Sequence, residues 1–120
     1  MRSKSTGCCA PVLQAPLGKA EAEELAAGLR ALADPVRLRL LSFIAAQPKA
    51  EACVCHLTAP VELSQPTVSH HLKLLHEAGI LDREKRGTWV FYRIKPERLD
   101  ALRAALSTNG VSRRSKAAAR

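Results

Sequence analysis

Apolar positions along the chain follow two periods. From about Lys19 to Ala33, Ala22, Leu25, Ala26, Leu29, Leu32 and Ala33 recur at helical spacing, with Glu21, Glu23, Glu24 and Arg30 off that face. This predicts an amphipathic helix. Asp34-Pro35 then punctuates the chain, since aspartate caps free helix amides and proline fits the first helical position. The helix that follows points Val36, Leu40, Phe43 and Ile44 inward and ends before Pro48. A short helix is expected from roughly Cys53 to Ala59, stopped by Pro60. Ser64 caps the next helix, which buries Val68, Leu72 and Leu75 and ends at Gly79, a natural residue just past a helix end. The period then changes to two. "ILDREK", "RGT" and "WVFYRI" read as strand, turn and strand, with Val90, Tyr92 and Ile94 alternating with Trp89, Phe91 and Arg93. Pro96 opens a last helix whose Leu99, Leu102 and Leu106 share a face.

This order predicts a mainly α fold with a β-hairpin wing, a winged helix-turn-helix of order α-α-α-α-β-β-α. The terminal helices keep apolar stripes suited to a homodimer interface, and such proteins commonly read DNA as symmetric dimers. Residues 1–18 have no periodicity and read as a flexible arm carrying a cysteine pair. Residues 19–107 form the DNA-binding and dimerisation domain, and residues 108–120 read as a disordered basic tail.

Composition refines this picture. Aromatic residues are only 3% of the 120, so the core must be aliphatic. The formal net charge of +8 suggests a nucleic-acid partner, but placement matters more than the total. Four of those charges, Arg113, Arg114, Lys116 and Arg120, sit in the tail. A second concentration, Arg83, Lys85, Arg86, Arg93 and Lys95, falls on the hairpin, while Lys19 to Asp34 is net acidic. On the helix capped by Ser64, Ser69, His70 and Lys73 point away from the apolar stripe, and Gln65 and Thr67 occupy the N-terminal end that such helices present to base edges. With Arg83, Lys85 and Arg86 of the wing, these are the expected DNA contacts. An amphipathic core helix beside a solvated hairpin is the plainer reading of the same residues. His71, beside the apolar stripe, is expected to pack rather than bind.

No apolar run approaches membrane-spanning length, and the N-terminus lacks the apolar core of a signal peptide. A cytoplasmic protein without a membrane partner is expected. No nucleophile–base set or cofactor loop argues for an enzyme.

Four cysteines remain, in two couples: Cys8-Cys9 and Cys53-Val54-Cys55. In a reducing compartment such thiols are candidate ligands for a soft ion. Three readings stay open: a soft-ion site built from both couples, inert burial of Cys53 and Cys55, and a thiol redox switch. On a regular helix Cys53 and Cys55 would diverge by about 200°. They converge only if Cys53 lies at a frayed start or the turn unwinds. Neither couple has the spacing of a zinc ribbon.

"LADPVRLRLLSFI", "CVCHL" and "LSQPTVSHHLKLLHEAGILDREKRGTWVFYRI" resemble the ArsR/SmtB family of dimeric winged-helix metal-sensing repressors, over about residues 20 to 106. The resemblance implies an apo homodimer that binds an inverted-repeat operator and releases it on binding its inducer ion. "CVC" is similar to the family's metalloid motif, with His56 where Asp is usual and Thr58 where some members carry a third cysteine. It therefore implies recruitment of Cys8, Cys9 or both, usually from the other protomer. The last helix has no histidine, so the family's zinc and nickel site looks absent. The expected inducer is As(III) or Sb(III), held by Cys53 and Cys55 with Cys8 or Cys9. The alternatives are Cd(II), Pb(II) or Zn(II) on all four sulfurs, a redox-sensing repressor, or a soft-metal buffer that binds no DNA.

Overall fold

A computed structural model of the chain describes residues 11–108 and 111. Five α-helices and three strands follow in the order α1 (Lys19–Leu32), α2 (Pro35–Ala45), β1 (Glu51–Cys53), α3 (Thr58–Val61), α4 (Gln65–Glu77), β2 (Leu81–Arg86), β3 (Trp89–Ile94) and α5 (Pro96–Ala105). Single 3-10 turns at Pro48–Ala50 and Val54–His56 flank β1.

The punctuation residues act as their chemistry dictates. The Asp34 carboxylate accepts from the amides of Val36 (2.8 Å) and Arg37 (3.1 Å), closing the start of α2. The Ser64 hydroxyl accepts from the Thr67 amide at 3.4 Å and donates to the Thr67 hydroxyl at 3.0 Å. Past α4, Gly79 takes φ +81°, and Gly87 takes φ +65° in the two-residue turn between Arg86 and Trp89. Only glycine adopts that region without steric cost.

The main core gathers Leu40, Leu41 and Ile44 of α2, Leu57 and Val61 around α3, Val68, Leu72 and Leu75 of α4, and Ile80, Leu81 and Tyr92 of the hairpin. A second, smaller cluster joins Leu25 of α1 to Leu102 and Ala105 of α5, with Val12 and Leu17 packed on it. The helical faces expected from periodicity are largely these faces, but Ala22 and Ala33, expected on the apolar face of α1, are exposed. Leu106, expected to share the inward face of the last helix, lies past the end of α5 and is 47% exposed.

One expectation is corrected. Cys53 to Ala59 is not a single helix. Glu51–Cys53 is a third strand, antiparallel to β3, with Glu51 opposite Arg93, Ala52 opposite Tyr92 and Cys53 opposite Phe91. The sheet order is β1-β3-β2. A two-stranded wing leaves the free edge of β3 with unpaired backbone groups, and β1 satisfies them. Pro60 does not stop a helix either. It lies in the first turn of α3, where its missing N–H costs nothing. That helix ends instead at Glu62, which adopts the left-handed conformation at φ 58°.

Candidate functional site: a dithiol between the reading helix and the wing

The change of backbone at Cys53 decides where the thiols point. Cys53 is extended (φ −77°, ψ 145°) and caps the turn Val54–His56, with its sulfur accepting from the Cys55 amide at 3.4 Å. An extended residue followed by one tight turn brings two alternate side chains to the same side. The two sulfurs lie 2.7 Å apart and are not joined by a disulfide. Cys53 is 3% exposed and Cys55 half-buried. The sulfur–sulfur hydrogen bond with Cys53 pushes the Cys55 thiol above its usual range, and burial adds to the shift. Cys55 therefore stays a protonated thiol at neutral pH.

The dithiol opens into a cavity of about 580 Å³. Gln65, Ser69 and Lys73 of α4 line it, together with Arg83 of β2 and Thr88, Trp89 and Val90 of the wing. Four of the residues expected to touch DNA thus share one groove with Cys53 and Cys55. Thr67, His70, Lys85 and Arg86 lie outside that lining. Thr67, His70 and Lys85 are exposed, with the Thr67 hydroxyl engaged in the helix cap.

Arg86 differs from the other wing cations. Its guanidinium donates to both oxygens of Glu51 (2.8 and 3.2 Å) and to Glu84 (2.7 Å), and lies 4.2 Å from the centroid of the Phe91 ring. These hydrogen bonds with Arg86 hold both carboxyls below the usual range and raise the arginine further. Arg93 donates to Glu51 as well, at 3.3 Å.

Two positions that shape the site escaped the sequence reading. Arg37 of α2 donates to Ala31 O at the end of α1 (2.7 Å) and to Nδ1 of His71 on α4 (3.1 Å). Arginine has no acceptor, so in this contact His71 Nδ1 is the acceptor. His71 is half-buried, as its place beside the stripe implied. Trp89, the single tryptophan, is 56% exposed at the wing and lines the cysteine groove. Its place in the alternating strand was legible, but nothing in the sequence signalled the groove.

Cys8 and Cys9 lie outside the described residues. Among the described residues no group of three or more His, Cys, Asp or Glu side chains gathers to hold an ion. Cys53 and Cys55 bring two sulfurs together, too few to complete the shell of a thiophilic ion without a donor from elsewhere.

Residues 34–83 match the profile of the bacterial regulatory protein arsR family. An arsenical resistance operon repressor of Staphylococcus xylosus is 34% identical over 90 residues, which cover 75% of this chain and 84% of that protein. The chain belongs to the arsR family. The arsenic resistance transcriptional regulator ArsR1 of Pseudomonas putida is 50% identical over 68 residues, 57% of this chain, and the match spans only 52% of that protein's length. Among solved structures, the AntR antimony-specific transcriptional repressor superposes with a TM-score of 0.63 at 31% identity, covering 92% of this chain and 96% of that one. A homodimeric winged helix-turn-helix DNA-binding domain from Mycobacterium bovis, a possible ArsR-family regulator, superposes with a TM-score of 0.59 at 25% identity, covering 74% and 83%. The winged helix-turn-helix of the ArsR family is thus the architecture of this chain, with α3 and α4 as the helix pair and β2–β3 as the wing.

Proposed function

We propose that this ArsR-family protein is a metalloid-responsive transcriptional repressor. A homodimer binds an inverted-repeat operator and leaves it when As(III) or Sb(III) is captured by Cys53 and Cys55 together with Cys8, Cys9 or both. The observation that carries this reading is the shared groove. Cys53 and Cys55 line the same cavity as Gln65, Ser69 and Lys73 of α4 and Arg83 and Trp89 of the wing. Ion capture there changes the spacing of the parts that read DNA.

In this reading α4 lies in the major groove, with Gln65, Thr67, Ser69, His70 and Lys73 offering hydrogen bonds to bases and phosphates, while Arg83, Lys85 and Arg86 approach the backbone. Dimer geometry sets the half-sites one helical turn apart, roughly 34 Å, so a small change of wing or helix angle removes simultaneous docking. Homologues named as arsenical and antimony repressors support the choice of inducer.

The arm closes the site across the dimer. The Val12 amide donates to Ala105 O at 3.0 Å, and Val12 and Leu17 pack on the α1–α5 cluster. Ala52 and Val54, the neighbours of Cys53, belong to the other cluster. Cys9 precedes that anchor by three residues, a reach of roughly 10 Å. An arm rooted on the terminal helices, the expected dimer face, is well placed to reach the partner's dithiol.

Fluorescence anisotropy on the DNA immediately upstream of the gene tests the reading. Ion-free protein should bind tightly and salt-sensitively, and arsenite or antimonyl tartrate should release it. Release by Cd(II) with none by arsenite would replace it with a four-sulfur cadmium sensor. Release by peroxide in metal-free buffer would replace it with a redox repressor. Absence of sequence-selective DNA binding would leave a soft-metal buffer.

A further inference from the structure

Glu51 and Cys53 are the two ends of one three-residue strand. At one end, Cys53 stands opposite Phe91. At the other, the Glu51 carboxylate holds Arg86 through both oxygens and Arg93 through one. Arg86 in turn lies over the ring of Phe91. The contacts close a loop: Cys53 to Phe91 through the ladder, Phe91 to Arg86 through the ring face, Arg86 to Glu51 through a two-point ion pair, and Glu51 back to Cys53 along the strand.

Its members differ in shielding. The Glu51 side chain is 15% exposed, whereas Glu84, which also pairs with Arg86, is 52% exposed. A shielded carboxylate held by two guanidiniums keeps its geometry, while an exposed pair is screened and readily exchanged. The wing therefore has one firm attachment to the cysteine strand and one loose attachment within itself.

We propose that Glu51 is the positioning residue that couples ion capture at Cys53 and Cys55 to the orientation of the wing. This rests on the repressor reading above. Drawing Cys53 toward Cys55 and a third sulfur pulls one end of β1. Two peptide steps in an extended strand span about 7 Å and cannot absorb the pull by stretching. Glu51 moves with the strand, and Arg86 and Arg93 carry the wing with it. Arg86 is then a hinge pin of the wing first, and a phosphate contact only where its partners release it.

Glu51→Gln keeps the side chain's size and removes its charge. Glu84→Gln removes the other partner of the same Arg86 without touching β1. For intact wild-type and variant dimers, operator Kd is measured without and with saturating arsenite, and the ratio of the two is the coupling. Amide exchange of Trp89–Ile94 is followed in the ion-free proteins. Glu51→Gln should cut the wild-type ratio by about tenfold, leave arsenite bound per protomer unchanged, and speed exchange along β3. Glu84→Gln should keep the ratio within about twofold, as expected for an exposed pair. Arg93→Gln attacks the same clamp from the wing and should lower the ratio in the same direction, so the inference stands testable if Glu51→Gln does not fold.

An unchanged ratio in Glu51→Gln, or an equal loss in Glu84→Gln, overturns the inference while leaving the repressor reading intact. A wild-type protein that arsenite never releases overturns both.

Discussion

Cys53 stands directly opposite Phe91 in the β1–β3 ladder, so the strand that carries the first thiol and the strand that forms the wing belong to one sheet. The thiols and the wing proposed to read DNA are therefore neighbours in backbone hydrogen bonds as well as in the groove they line.

Arg37 ties three helices through Ala31 O and His71 Nδ1. Arg37→Ala should lower the unfolding free energy by about 1–3 kcal/mol, as expected for losing part-buried hydrogen bonds from a charged donor. Arg37→Lys should recover little of it, because an ammonium cannot reproduce the planar fork. Urea denaturation of the three proteins measures this, and a lysine variant as stable as wild type would contradict it.

Lys73 and Arg83 are exposed and line the groove, whereas Arg86 already faces Glu51 and Glu84. Replacing Lys73 or Arg83 by Ala should reduce the salt dependence of operator binding by about one phosphate contact each. Arg86→Ala should change that slope less while weakening the wing. Anisotropy titrations at several salt concentrations separate the cases.

Stability should fall in acid. The Asp34 carboxyl is held below its usual range chiefly by the Arg37 amide, and that of Glu84 chiefly by Arg86. Their folded forms bind fewer protons than the unfolded chain, so the stabilisation is present above about pH 4 and is lost as pH falls through and below that range. Urea midpoints at descending pH should drop for wild type and drop less for Asp34→Asn, which keeps a capping oxygen without a titrating group.

The raised Cys55 thiol gives the inducers different pH signatures. Each protonated thiol that binds arsenous acid passes its proton to a departing hydroxyl, and water leaves with no proton released. Binding Cd(II) must expel the thiol protons into solvent. Arsenite affinity should stay nearly flat between about pH 6 and 8, below the ordinary thiol range, while Cd(II) affinity climbs. Calorimetry in buffers of different ionisation enthalpy reads both. A steep fall of arsenite affinity with rising pH would mean that Cys55 is ionised before capture, since a thiolate must take up a proton for its hydroxyl to leave as water.

The long elements were legible because several residues repeat the same signal. Asp34, Ser64 and Gly79 bound their helices as expected, and alternation from Trp89 to Ile94 marks β3. The strand Glu51–Cys53 was not legible. Three residues carry no period, and the edge they satisfy lies about forty residues away, opposite Phe91 to Arg93. The convergence of Cys53 and Cys55 depends on that strand, so the spacing alone left it open. Arg37 and Arg86 show the same limit from another side. Each is one more surface cation in the sequence, and only the fold places Ala31 O, His71 and Glu51 around them.

The central claim is that Cys53 and Cys55 are the trigger in the reading groove. It is tested most directly by arsenite-induced operator release in wild type, Cys53→Ser and Cys55→Ser, each first shown to bind the operator without ion. Wild type should leave the DNA on arsenite addition, while both serine variants bind normally and stay bound. Release of either variant at wild-type arsenite concentrations would contradict the account.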